Sequence, residues 1–151
     1  MLFFLFPFVL FWGCSGGSGD EPTADSFSQN FVSYLTDGSK LRTLLPTDEI
    51  IDSMIKCPGE NQLKTSIERL KTKISKMKVP KGATIGYKSN AVKESLTKKK
   101  GDDINGCQAT ADFNIISIEV DVEKRMGDKS EEDKLKIQAI SMNGKWYLAD
   151  F

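Results

Sequence analysis

The sequence predicts an α+β fold, with N-terminal helices packed on a curved antiparallel β-sheet. Three observations carry that reading. Apolar residues recur every three to four positions between residues 26 and 77, as on one face of a helix. From Ala83 onward the period falls to two, as in strands with one buried face. Asn143-Gly144 then stands between two such stretches, and Asn-Gly is the dipeptide that a two-residue type I′ hairpin turn prefers.

Phe27, Phe31, Tyr34 and Leu35 form the apolar stripe of a first helix over residues 26–36, with Ser26 as N-cap and Asp37-Gly38 as its stop. Thr47 caps a second helix. Asp48 and Glu49 sit in its first turn, where the helix dipole favours negative charge, and Ile50, Ile51, Met54 and Ile55 give its apolar face before Cys57-Pro58-Gly59 ends it. The third helix has the clearest pattern: Leu63, Ile67, Leu70, Ile74 and Met77 step by four and three until Pro80 intervenes. That stripe is too short for a coiled coil, so packing on a sheet is expected.

Ala83, Ile85 and Tyr87 predict a strand, and residues 92–98 a second one. Gly101-Asp102-Asp103 and Asn105-Gly106 mark turns; the acidic run lacks the spaced ligands of an EF-hand calcium loop and reads as a solvated turn. The next strand alternates on Ala109, Ala111, Phe113 and Ile115, then on Ile116, Ile118, Val120 and Val122. This phase slip predicts a β-bulge between Ile115 and Ile116. Charge suggests the register of the following hairpin. Glu123 opposite Lys134 and Asp121 opposite Lys136 also set Val122 against Leu135 and Val120 against Ile137, with residues 125–132 as a polar loop. Glu119, Asp121 and Glu123 then form an acidic column, neutralised in large part by the facing lysines.

Residues 1–12 carry no charge and, Pro7 apart, are all Leu, Phe, Val, Met or Trp. The run is too short for a membrane span, which takes about 20 apolar residues, and matches the apolar region of an export signal, about 7–15. It ends at Phe11-Trp12-Gly13-Cys14, followed by Ser15-Gly16-Gly17-Ser18-Gly19. With a small residue before the cysteine, this stretch resembles the lipobox of bacterial lipoproteins, although Phe11 and Trp12 stand where that family usually has Leu and a small residue. The resemblance implies that residues 1–13 are a signal peptide removed in the mature protein and that Cys14 carries acyl chains. Residues 14–25 are then the lipidated cysteine and a flexible tether with a reach of roughly 15–20 Å, and residues 26–151 a single domain. It further implies the bacterial cell envelope as location, with Ser15 favouring the outer over the inner membrane, and the membrane as partner through Cys14.

If Cys14 carries lipid, Cys57 and Cys107 remain as an even pair in an oxidising compartment. A disulfide between them is expected, against two free thiols. Closing a loop of about 50 residues would add roughly 4 kcal/mol on the chain-entropy account.

The chain is neutral overall, with 21 basic and 21 acidic residues, but its charge is segregated. From Lys56 to Lys100 there are 13 Lys and Arg against three acids, a balance of +10. Such a face suits anionic headgroups or an acidic envelope protein, and equally a solvated surface facing the acidic half of the same molecule. Nucleic acid is not an expected partner of an exported lipoprotein.

The complete absence of His excludes Ser-His-Asp and Cys-His catalysis and most zinc sites. Gly13-Cys14-Ser15-Gly16-Gly17 fits G-x-S-x-G, but lacks the strand, helix and base that a nucleophile elbow requires. No catalytic residue, metal or cofactor is therefore assigned.

The element order, together with the closing Gly144-Lys145-Trp146-Tyr147-Leu148-Ala149-Asp150-Phe151, resembles the nuclear-transport-factor-like and cystatin-like folds. That resemblance implies a sheet wrapped around helices, with or without a cone-shaped pocket, and no particular activity. For catalytic members it implies an acid-base Asp, His or Tyr in the pocket, a role for which Tyr87, Tyr147 and Asp112 are only loose candidates here. The expected function is a membrane-anchored, non-enzymatic binding or interaction module. The alternative is a small pocket enzyme or ligand carrier, for which a deep pocket lined by a buried Asp and Tyr would speak.

Overall fold

The structure is a computed structural model that describes residues 23–151. Cys14, the lipobox-like stretch and most of the expected tether lie outside the described residues.

The fold is α+β. The first helix, α1, spans Ala24–Tyr34 and starts two residues before the expected Ser26. Thr23 is its N-cap: the Thr23 hydroxyl accepts from the Ser26 amide at 3.1 Å, and the Ser26 hydroxyl accepts from the Thr23 amide at 2.9 Å. This reciprocal capping box satisfies two of the free amides of the first turn, and it moves residues 23–25 from the expected tether into the helix. Asp37 does more than stop α1. Its side chain accepts from the amides of Ser39 and Lys40 and starts a short helix, α2, Gly38–Arg42, that the sequence reading did not anticipate. Helix α3, Asp48–Met54, is capped by Thr47 as expected, but it ends before Ile55. Ile55 and Lys56 instead form strand β1. Helix α4, Gln62–Lys76, is capped by Asn61 and buries Ile67, Leu70 and Ile74 of the anticipated stripe, with Leu63 partly buried and Met77 partly buried as its C-cap.

The remaining strands are β2 (Ala83–Lys98), β3 (Asp103–Ile104), β4 (Cys107–Ala109), β5 (Phe113–Met126), β6 (Lys129–Met142) and β7 (Lys145–Asp150). They form two antiparallel sheets: a large one in the order β2-β5-β6-β7, and a small one in the order β1-β4-β3. Three expectations are corrected here. The two strands expected over residues 83–98 are one long strand. Its alternation breaks because register shifts at Lys88 and Lys93 place extra residues in β2 opposite β5. Conversely β5 pairs with β6 without a shift, so no bulge lies between Ile115 and Ile116. The phase slip has another cause: Ile116, Ile118, Val120 and Val122 join the core under the helices, whereas Phe113 and Ile115 face the other way, into a second apolar cluster.

The third correction concerns the β5–β6 register, which lies two residues from the expected one. Asp121 faces Lys134, Glu119 faces Lys136, Val120 faces Leu135 and Glu123 faces Glu132. Residues 125–132 are not a loop. The strands run on to Met126 and Lys129 and turn at Gly127-Asp128, with Gly127 at φ 59°, where a type II′ turn needs a positive angle. A two-residue slip leaves each side chain on its original face, so polarity cannot distinguish the two registers; the turn does. At the other hairpin the expectation holds: Met142 faces Lys145, Ser141 faces Trp146, and Asn143 and Gly144 both have positive φ, 52° and 73°.

The main core lies between the helices and the inner face of the large sheet. Phe31, Leu41, Ile51, Ile67, Val120, Val122 and Leu148 are all essentially inaccessible there. The second cluster, built by Met54, Ile55, Ala109, Phe113, Ile140 and Met142, lies between the small sheet and one end of the large one. Cys57 and Cys107 border it, with their sulfurs at bonding distance, 2.04 Å, and Cα atoms 4.3 Å apart.

Candidate functional site

The resemblance to pocket-bearing folds directs attention first to the space between helices and sheet. Most of it is packed: Phe27, Phe31 and Leu35 of the first helical segment, with Ile67, Leu70 and Ile74 of α4, share one core with Ile116, Ile118, Val120 and Val122, and a cavity of about 180 Å³ remains where Leu63 and Ser66 of α4 meet Phe113, Ile115 and Ile140. Phe27 stacks at 5.7 Å on Trp146, and Phe31 packs edge-on against Phe151 at 5.4 Å. Lys73 closes this end, with its ammonium 4.3 Å above the Phe151 ring.

Nor does the structure assemble the three loose acid-base candidates. Tyr87, on β2, donates its hydroxyl to Asp25 of α1, and Asn90 donates to both, at 2.7 Å to the Tyr87 oxygen and 2.9 Å to Asp25. Burial, helped by the Asp25 carboxylate, pushes the Tyr87 phenol up, away from a role as a base at neutral pH. The trio fastens the first turn of α1 to the sheet. Asp112 accepts from the Lys100 amide at 2.8 Å and from the Lys99 ammonium at 3.3 Å. These bonds hold its carboxyl below the usual range, and its place is in the loop before β5. Tyr147 is half-buried on β7, paired with Ile140.

The acidic column is real but occupied. Glu119 accepts from Lys134 at 2.9 Å and lies 3.5 Å from Lys93. Asp121 accepts from Ser89 at 2.7 Å and lies 3.4 Å from Lys134, while Glu123 accepts from Ser130 at 2.5 Å and Arg125 at 2.8 Å. Each carboxyl is lowered, by Lys134 for Glu119, by Ser89 for Asp121 and by Ser130 for Glu123. Lys134 is correspondingly raised by Glu119. Carboxylates held ionised by cations and hydroxyls are poor proton donors or acceptors near neutrality. Among the described residues no group of three His, Cys, Asp or Glu is placed to hold a metal ion.

A feature that no sequence motif signals is an open groove of about 990 Å³ at one end of the large sheet. Leu35 after α1, the Met77–Pro80 connection, Ala83 and Ile85 on β2 and Met126 at the hairpin tip make its apolar lining. Met126 is 52% exposed. Lys78, Lys124, Arg125 and Lys129 stand on its rim against Asp128 and Glu131. Lys124 pairs with Asp133 and Arg125 with Glu123, whereas Lys78 and Lys129 make no ion pair among the described residues. The groove lies where the end of the β5–β6 hairpin, which runs on to Met126 and Lys129, and the connection after α4 line one space. Residues 125–132, expected as a loop, are here strand ends and a tight turn that supply one wall of the groove. Apolar walls with charged side chains of both signs on the rim suit an amphiphilic ligand.

Comparison with protein-family models, with curated proteins and with solved structures finds no match.

Proposed function

We propose that the chain is a lipid-anchored module of the bacterial cell envelope, non-enzymatic, that binds an anionic amphiphile or an acidic envelope protein through the groove at the hairpin tip. The observation that carries this reading is Cys14 itself, set between an uncharged apolar run ending in Phe11-Trp12-Gly13 and the Gly/Ser stretch that leads to the Thr23 cap. Two or three acyl chains on that cysteine would hold the mature protein on a membrane, since two lipid signals suffice for stable anchoring. The placement of Cys57 beside Cys107 is consistent with an oxidising compartment.

The finer fold belongs to the same proposal: a nuclear-transport-factor-like or cystatin-like domain whose interior is largely occupied by core side chains. The closely packed main core, and the meeting of Asp25 and Tyr87 outside the lining of the cavity beside α4, favour a binding module over the pocket-enzyme alternative.

Mass spectrometry of protein extracted from the membranes of an expressing bacterium tests the anchor. The expected mass lacks residues 1–13, adds acyl chains at Cys14, and is two hydrogens short at Cys57 and Cys107. An unmodified Cys14 with residues 1–13 still attached would overturn it. For the groove, anilinonaphthalene sulfonate serves as an apolar anionic probe: Lys129→Glu and Met126→Asn are each expected to weaken its binding, and undiminished binding by both variants removes the groove from the proposal.

A further inference from the structure

The strand β2 is an edge of the large sheet, with β5 as its one neighbour. Its second half, residues 91–97, is exposed throughout. Two large apolar side chains stand there in water, Val92 at 49% and Leu96 at 47% exposure. Opposite β5 they pair with Ile118 and Ile115, on the inner and outer faces respectively, so they flank the edge from both sides.

The same stretch is cationic. From Lys88 to Lys100 five lysines stand against Glu94 alone, a balance of 5 − 1 = +4. Lys93 and Lys99 each have a carboxylate partner, at 3.5 and 3.3 Å, but Lys98 and Lys100 make no side-chain ion pair among the described residues. Apolar side chains interleaved with long cationic ones suit the boundary between acyl chains and anionic headgroups, where lysine stems lie along the apolar layer and the ammonium groups reach the phosphates. Another β-strand is a poorer occupant. Register shifts at Lys88 and Lys93, with charge along the strand, are the devices by which sheet edges avoid pairing with foreign strands.

The position at which residues 1–22 join the domain selects the same surface. They enter at Thr23, and Asp25 in the next turn is bonded to Tyr87 and Asn90 of β2, the latter two residues before Val92. An anchor at Cys14 therefore pulls on the domain beside this edge.

We infer that the edge formed by residues 91–100 lies on the anionic lipid surface of the membrane that holds the anchor, with Val92 and Leu96 dipping to the acyl boundary and Lys98 and Lys100 among the headgroups. The inference rests on the lipid-anchor reading. Its test uses the protein purified from bacterial membranes and reconstituted into vesicles, either phosphatidylglycerol with phosphatidylcholine or phosphatidylcholine alone. An environment-sensitive fluorophore is placed at Leu96→Cys or, as a control on the opposite edge strand β7, at Lys145→Cys. The expected result is a blue shift at position 96 on the anionic vesicles, reversed by high salt and absent on neutral ones, with no shift at position 145. Lys98→Gln combined with Lys100→Gln lowers the ratio of docked to undocked protein by about 30-fold, from the usual contribution of a lysine at an anionic surface. Acylated protein whose position 96 stays in water on both vesicle types overturns this inference and leaves the anchor standing. A mass spectrum without acyl chains overturns both.

Discussion

The two apolar clusters of this domain are held together by different means. The larger one gathers side chains from α1, α2, α3, α4 and three strands of the large sheet, many of them with no exposure at all. Its strength is the area it removes from water. The smaller one has six buried members, and three of its flanking strands are only two or three residues long. Strands that short carry little cooperative pairing, and the Cys57–Cys107 link closes a separation of 50 residues at that point. Backbone and side-chain bonds from Thr110 to Met54 and Ser53, both at 2.8 Å, tie the same corner to the end of α3. Where the chain has enough apolar surface to bury, it needs no staple; where it has little, a covalent constraint and a few local hydrogen bonds take over.

The comparison breaks most visibly at Phe31. Phe31→Ala removes a fully buried ring from the larger cluster and is expected to cost about 3–5 kcal/mol in urea denaturation, with the whole domain affected. Cys57→Ser combined with Cys107→Ser is expected to cost up to about 4 kcal/mol on the chain-entropy account. The loss should be local first: amides of β3 and β4 exchange with solvent before those of β5 in a hydrogen-exchange experiment. Equal acceleration in both places would show that the two clusters unfold as one unit. A smaller effect, about 1 kcal/mol, is expected for Thr47→Ala, which removes the acceptor for the Ile50 amide at the start of α3, between the two clusters.

The smallest expected effect concerns neither cluster. Lys134→Ala leaves Glu119 and Asp121 with fewer partners on the solvated face, where screening keeps the contribution to stability small. Its signature is in the pH dependence. Glu119 and Asp121, for both of which Lys134 is one of the causes, are lowered in the folded chain, so their contribution is complete above the ordinary carboxylate range, about pH 4. It is lost as pH falls through the lowered values. The variant should show a flatter loss of stability on acidification than the parent, measured by melting temperature between neutral and acidic pH.

Much of this was legible in the residues themselves. The stripe of α4, the Thr47 cap and the Asn143-Gly144 turn each depend on groups within a few positions of one another, and each appears where its pattern places it. Other features were misread for definable reasons. Thr23 and Asp37 act as caps although each lies beside residues typical of tethers and turns. Gly127-Asp128 closes a hairpin that charge matching had set two residues away, because both registers keep each side chain on its face and both offer acid–lysine pairs, Asp121 with Lys134 and Glu119 with Lys136 in the observed one, although that one also sets Glu123 against Glu132. The groove beside Met126 follows from that turn and so escaped notice with it.

The sequence alone determined the change of period from helix to strand, the segregation of charge, the absence of an imidazole and the apolar run that ends at Cys14, because all of these are properties of neighbours along the chain. Only the tertiary structure decided that Phe113 and Ile115 belong to one core and Ile116 to another, that the pairing register of an edge strand shifts at Lys88 and Lys93, and that Asp25 meets Tyr87 and Asn90 across more than sixty residues. Those outcomes depend on which face of a strand another element covers, and a strand's own alternation says only that its faces differ.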